Sequence, residues 1–71
     1  MGREVAALIV ETMLRQGREL DDLLIRAQPA VDETEFRELK LAIGKVLGSM
    51  LLDVMNPIFE EHPDLRPAEL A

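Results

Sequence analysis

Between Arg3 and Gln16 the apolar residues Val5, Leu8, Ile9 and Met13, with Ala6, Val10 and Leu14 one step round, recur every three or four positions. That spacing predicts an amphipathic helix. Glu4 in its first turn and Arg15 in its last suit the helix dipole, and Gly17 stands where a left-handed C-cap would end it. Leu20, Leu23, Leu24 and Ala27 keep a period close to that of Val10, Met13 and Gly17, so one bent helix through the glycine is an alternative. The glycine favours two helices, over about 3–16 and 19–28. Pro29 ends whichever forms, because proline has no backbone donor and restricts the residue before it.

A sharper local signal follows. In Val31-Asp32-Glu33-Thr34-Glu35-Phe36 the Asp32 carboxylate is placed to cap the amides of the next turn, and Glu35 to reach back to the amide of Asp32. Val31 and Phe36 have the spacing of a hydrophobic staple. A helix is expected from Glu33, and no proline interrupts it before Pro57, so it should run over about 33–55 as the longest element. Asn56-Pro57 then reads as the N-cap and first residue of a short helix over about 57–62, or as a kink, with the first reading preferred. Pro63 and Pro67 divide an acidic tail expected to be partly extended and able to strap across a neighbour through Leu65 and Leu70. The expected fold is therefore all-α and a single domain over residues 1–71: a small bundle of three main helices plus a short C-terminal one.

At ~100° per residue the long helix divides into three strips. Phe36, Leu39, Ile43, Val46, Leu47, Met50, Leu51, Val54 and Ile58 form a broad apolar face, while Glu38, Lys45, Ser49, Asp53 and Asn56 lie opposite. Between them run Leu41, Gly44, Gly48, Leu52, Met55 and Phe59. A first helix of about 21 Å cannot cover a partner of about 34 Å that is apolar around most of its last turns. The third strip is accordingly the candidate interface of a homodimer, with the Gly44 and Gly48 pair allowing close helix approach.

Composition strengthens this expectation. A 71-residue chain makes a marginal core, and with no cysteine and one histidine, His62, neither disulfides nor a structural zinc site can supplement it. Self-association is the remaining remedy. The formal charge of −6 disfavours nucleic acid and anionic lipid as partners. Lys45, Asp53 and Asn56-Pro57 interrupt the apolar stretch from Leu41 to Phe59 and argue against a membrane span. The first residues lack a basic leader and an apolar run, so the expected location is cytoplasmic.

Candidate chemistry is sparse. Glu60, Glu61, His62 and Asp64 are the one metal-ligand-like cluster, and they read as a solvated helix end. Asp21-Asp22 and Glu60-Glu61 are adjacent in sequence, so each pair diverges around a helix instead of flanking one substrate atom. Ser49 lies in mid-helix, not on a nucleophile elbow. An acidic helical chain of this length superficially looks like an acyl carrier protein, but Asp32-Glu33-Thr34 and Gly48-Ser49-Met50 do not match that family's Asp-Ser-Leu motif. The resemblance implies no carrier function and no cofactor. The leading expectation is a non-catalytic interaction or oligomerisation module: an adaptor, chaperone-like protein or regulatory subunit. The rival is a helix-turn-helix DNA-binding regulator built on a turn at Gly17, with Arg15, Arg18 and Arg26 on phosphates.

Overall fold

A computed structural model describes residues 1–68 and is all-helical, with no strand among them. It has two long helical rods, not the three main helices and separate C-terminal helix expected from the sequence. The first rod is α1, Arg3–Ala27. The second is one helical path over Glu33–Glu61, composed of α2 (Glu33–Ser49), a π-helical turn (Met50–Met55) and α3 (Asn56–Glu61). At ~1.5 Å per residue the rods span about 37 and 43 Å, and folded back on each other they give a hairpin of 44 × 19 × 16 Å.

The first correction is at Gly17. No glycine in the described residues has a positive φ, so the left-handed C-cap is absent and α1 continues. Packing gives the reason. Ala6, Val10, Met13, Gly17, Leu20, Leu24 and Ala27 form one unbroken buried or half-buried seam at alternating four- and three-residue steps. Ending the helix at Gly17 would turn the second half of that seam away from the other rod. A glycine inside a helix costs only about 1 kcal/mol against alanine, less than burying a single leucine contributes.

The rods are joined by a 3₁₀ turn, Gln28–Ala30, which contains Pro29, and by extended Val31. Asp32 then caps α2 as its sequence predicts. Its Oδ1 accepts the Glu35 amide at 2.8 Å, and its own amide donates to Glu35 Oε1 at 3.2 Å. Arg37 and Glu33 add an exposed pair one turn apart, at 3.5 Å.

The second correction is at Asn56-Pro57. Asn56 has αR angles, not the extended angles of an N-cap, so the expected short helix is the continuation of the long one. A proline inside an α-helix clashes with the carbonyl four residues back, here Asp53. The chain avoids this by widening the turn before it: the Asn56 amide donates to Leu51, five residues back, in place of Leu52. One residue is absorbed in the wide turn. Every residue beyond it takes the angular place its predecessor would hold in an uninterrupted α-helix, a rotation of ~100°.

That rotation decides the core. Met55 and Phe59 are 5% and 3% exposed and form the main cluster with Ala6, Val10 and Ile58, while Val54, which an unbroken α-helix would turn inward, is 38% exposed. Ile9, Met13, Leu14, Met50, Leu51 and Leu65 pack around this cluster. Leu65 arrives on a 3₁₀ turn, Pro63–Leu65, where an extended tail was expected, and Arg66 lies 5.4 Å from the centre of the Phe59 ring. Leu70, the other proposed strap residue, lies outside the described residues.

Two stability predictions follow from this arrangement. A Cβ at Gly17 would meet only Leu47 Cδ2, at an ordinary 3.7 Å. Gly17→Ala should therefore stabilise the protein by about 1 kcal/mol, raising Tm by roughly 4–8 °C in calorimetry. The π-turn register predicts that Met55→Ala costs about 2–5 kcal/mol in urea unfolding and Val54→Ala about 1 kcal/mol or less. The reverse order would restore the register of an unbroken α-helix.

Candidate functional site

The hairpin has one internal seam and two flanks. On α1 the inward residues Ala6, Val10, Met13, Gly17 and Leu24 are each preceded by a residue one step back around the helix: Val5, Ile9, Thr12, Gln16 and Leu23. On the second rod the inward residues Ile43, Leu47, Leu51 and Met55 are preceded by Ala42, Val46, Met50 and Val54. Both rods are right-handed and antiparallel, so stepping back around each leads to the same side of the hairpin. Stepping forward leads to the opposite side, which carries Ala7, Glu11, Leu14, Arg18 and Ile25 on α1 and Gly44, Gly48 and Asn56 on the second rod.

The sequence-predicted strip is divided between core and surface. Leu41 and Leu52 are 66% and 63% exposed, and neither Gly44 nor Gly48 has an atom within 4 Å of where a Cβ would stand. These four share an outward line on the forward side. Met55 and Phe59 do not join them, because the π-turn rotates both into the chain's own core. No close helix contact within the hairpin uses Gly44 or Gly48; the glycine that faces the other rod is Gly17, beside Leu47.

Further exposed apolar side chains lie outside the strip: Val5, Leu8, Leu23, Ile25, Val46 and Val54. Sequence reasoning placed Val46 and Val54 on the face covered by the chain itself. Their exposure follows from two facts that periodicity did not carry, the π-turn and the merger of the first two helices into a single covering element.

A groove of about 400 Å³ opens where Gly17 leaves space between the rods, lined by Met13, Leu14, Leu47, Met50 and Met55 with Arg18 and Asp21 beside it. A smaller hollow of about 250 Å³ on α1 is lined by Glu19, Asp22, Leu23 and Arg26. Neither contains a histidine or a hydroxyl side chain.

The polar groups gather at the open end of the hairpin. The Met1 ammonium donates to Glu61 Oε1 at 3.1 Å, His62 Nε2 donates to the Met1 carbonyl at 3.1 Å, and Arg3 pairs with Asp64. His62 Nε2 also lies 3.3 Å from Glu61 Oε1. The hydrogen bond and charge of the Met1 ammonium, with a smaller effect of His62, hold the Glu61 carboxyl below its ordinary value. These contacts tie the ends of the rods together. No group of three or more His, Cys, Asp or Glu among the described residues is arranged to hold a metal ion. Ser49 and His62 are thirteen residues apart on the second rod, roughly 20 Å along its axis, so they do not form a nucleophile and base.

By length and composition the rod Glu33–Glu61 is apolar enough to cross a bilayer, and only 17% of its most apolar window is buried within the hairpin. No protein-family model, curated protein or solved structure matches the chain.

Proposed function

We infer that the chain is a non-catalytic interaction module whose working form is a self-associated helical hairpin, serving as an adaptor or regulatory subunit. The observation that carries this reading is surface left uncovered. The chain exposes 5266 Å², whereas a compact monomer of its 8.0 kDa mass exposes about 4,450 Å². The excess of roughly 800 Å² is close to the area each partner contributes to a standard protein interface. The radius of gyration of 14.4 Å against about 11 Å for a compact chain of this length has the same origin.

The rival readings lose their structural support. A helix-turn-helix needs a turn at Gly17, and α1 passes through that position without one. A membrane-embedded rod would carry exposed Lys45 and Asp53 into the bilayer. Its partner helix would bring Glu11, Arg15, Arg18, Glu19, Asp21 and Asp22 to the same depth, at a cost of about 2.5–3.5 kcal/mol for each charge near the bilayer centre. Covering by protein removes the apolar exposure without burying these groups.

Sedimentation equilibrium of the wild-type chain tests the reading. Twice the 8.0 kDa chain mass is expected at micromolar concentration, with a Tm that rises with protein concentration. A monomer at high micromolar concentration, with a concentration-independent Tm, would end it.

A further inference from the structure

We propose that the surface through which the hairpin meets a second copy is the flank one step back from the seam on both rods, centred on Val5, Ile9, Val46, Met50 and Val54, and that two hairpins stacked there form a four-helix bundle. This rests on the self-association argued above and adds which face carries it. Three observations single out this side.

The first is charge. The chain has 22 charged residues in 71, yet over the half of the hairpin nearer its open end, from Val5 through Ile9 and Thr12 to Gln16 and from Ala42 through Val46 and Met50 to Val54, the flank carries none. Its charged members, Glu19, Arg26 and Glu38, lie toward the closed end, beside Leu23 and Ala42. The forward side places Glu11, Arg18 and Asp21 along α1 and Arg37 and Lys40 on α2. A second copy docking across both rods on that side would have to bury these groups, and an unpaired buried charge is costly. Between two molecules that each carry −6, a contact that leaves the charges at its rim avoids adding local repulsion to the net repulsion.

The second is continuity. Ile9 and Met50 are already half-buried at the margin of the seam, and Val5, Val46 and Val54 stand exposed beside them. The flank thus widens the existing core outward on both rods. This breadth, with apolar positions beyond a single seam, is what a helix needs when it contacts more than one neighbour in a bundle.

The third is size. A face of 44 × 19 Å has a footprint of about 800 Å², which meets the per-partner area of a stable interface and the excess surface of the lone hairpin. A copy of the same length covers it end to end under two-fold symmetry, the commonest arrangement of homo-oligomers.

Matched charge insertions on the second rod distinguish this face from the glycine strip. Val46 and Leu52 are both half or more exposed in the hairpin, so a glutamate at either is compatible with its fold. Val46→Glu should raise the dimer dissociation constant by more than ~100-fold, because it buries an unpaired charge, and Leu52→Glu should change it by less than about 3-fold. Because the chain has no cysteine, Val46→Cys and Leu52→Cys provide a second measurement that requires no disruptive variant. The thiol at 46 should react with maleimide at least ~10-fold more slowly at concentrations where the dimer forms than under dilution, and the thiol at 52 at the same rate in both. A dimer that dissociates with Leu52→Glu but not Val46→Glu, or that protects position 52 but not 46, would overturn this face and leave self-association standing. Equal labelling at both positions with neither glutamate dissociating the dimer would overturn it as well. A monomeric wild type would remove both readings.

Discussion

A pair of helices has one line of mutual contact, and whatever apolar surface lies off that line must face water or another molecule. In this chain the line is the α1 seam from Ala6 to Ala27 against the second rod, and its best-buried part lies at the open end, where Ala6 and Val10 meet Met55, Ile58 and Phe59. Among the described residues only six are buried, and the one that is completely enclosed is the small Ala6. A core this thin cannot support irregularity cheaply. Of the irregular features it does contain, Gly17 is tolerated within the seam and the π-turn keeps the seam unbroken. The glycine leaves a groove beside Leu47 without turning the seam away, and the widened turn returns Met55 and Phe59 to the inside after Pro57 has made a regular helix unfavourable.

The ends of the hairpin are held by different physics. At the closed end the reciprocal Asp32 and Glu35 bonds satisfy amides that a helix start leaves without partners, and Pro29 shapes the turn before them. At the open end Met1, Arg3, Glu61, His62 and Asp64 are exposed or half-buried, and solvent-exposed ion pairs contribute little to stability. Their effect is to align the rod ends over the Phe59 cluster, with Leu65 adding apolar contact from the tail. The free energy at that end resides in the cluster.

Much of this was legible in the residues. The capping motif at Asp32, the stop at Pro29, the helical nature of both rods and the inward placement of Ile43 and Leu47 follow from local chemistry and period, which the fold leaves intact. The errors occurred where a local preference competed with tertiary packing. Gly17 has the composition of a stop, yet the seam on both sides of it is worth more than the glycine costs. Asn56-Pro57 has the composition of a restart, yet a helix already packed along its length finds a wider turn less costly than a break. The strip of Leu41, Gly44, Gly48, Leu52, Met55 and Phe59 was drawn by extending ~100° per residue through that turn, so its last two members were placed a full residue step from where they lie. An i to i−5 hydrogen bond has no compositional signature apart from the proline that follows it.

The same turn shapes the outside of the molecule. Along an unbroken α-helix, positions four apart advance by ~40°, so Val46, Met50 and Val54 would spiral from the flank into the seam. The π-turn, with more residues per revolution, holds Val54 on the flank in line with Val46 and lets Met55 take the inward place. One device therefore sets two registers: it closes the core of the single chain around Phe59, and it lengthens the uncharged line on the outer side of the rod to match the uncharged stretch of α1 from Val5 to Gln16. A regular helix would have given neither. A lone hairpin gains nothing from the second, since a valine held in water is no more stable for being aligned with another. The alignment has physical value only when a neighbouring surface covers it.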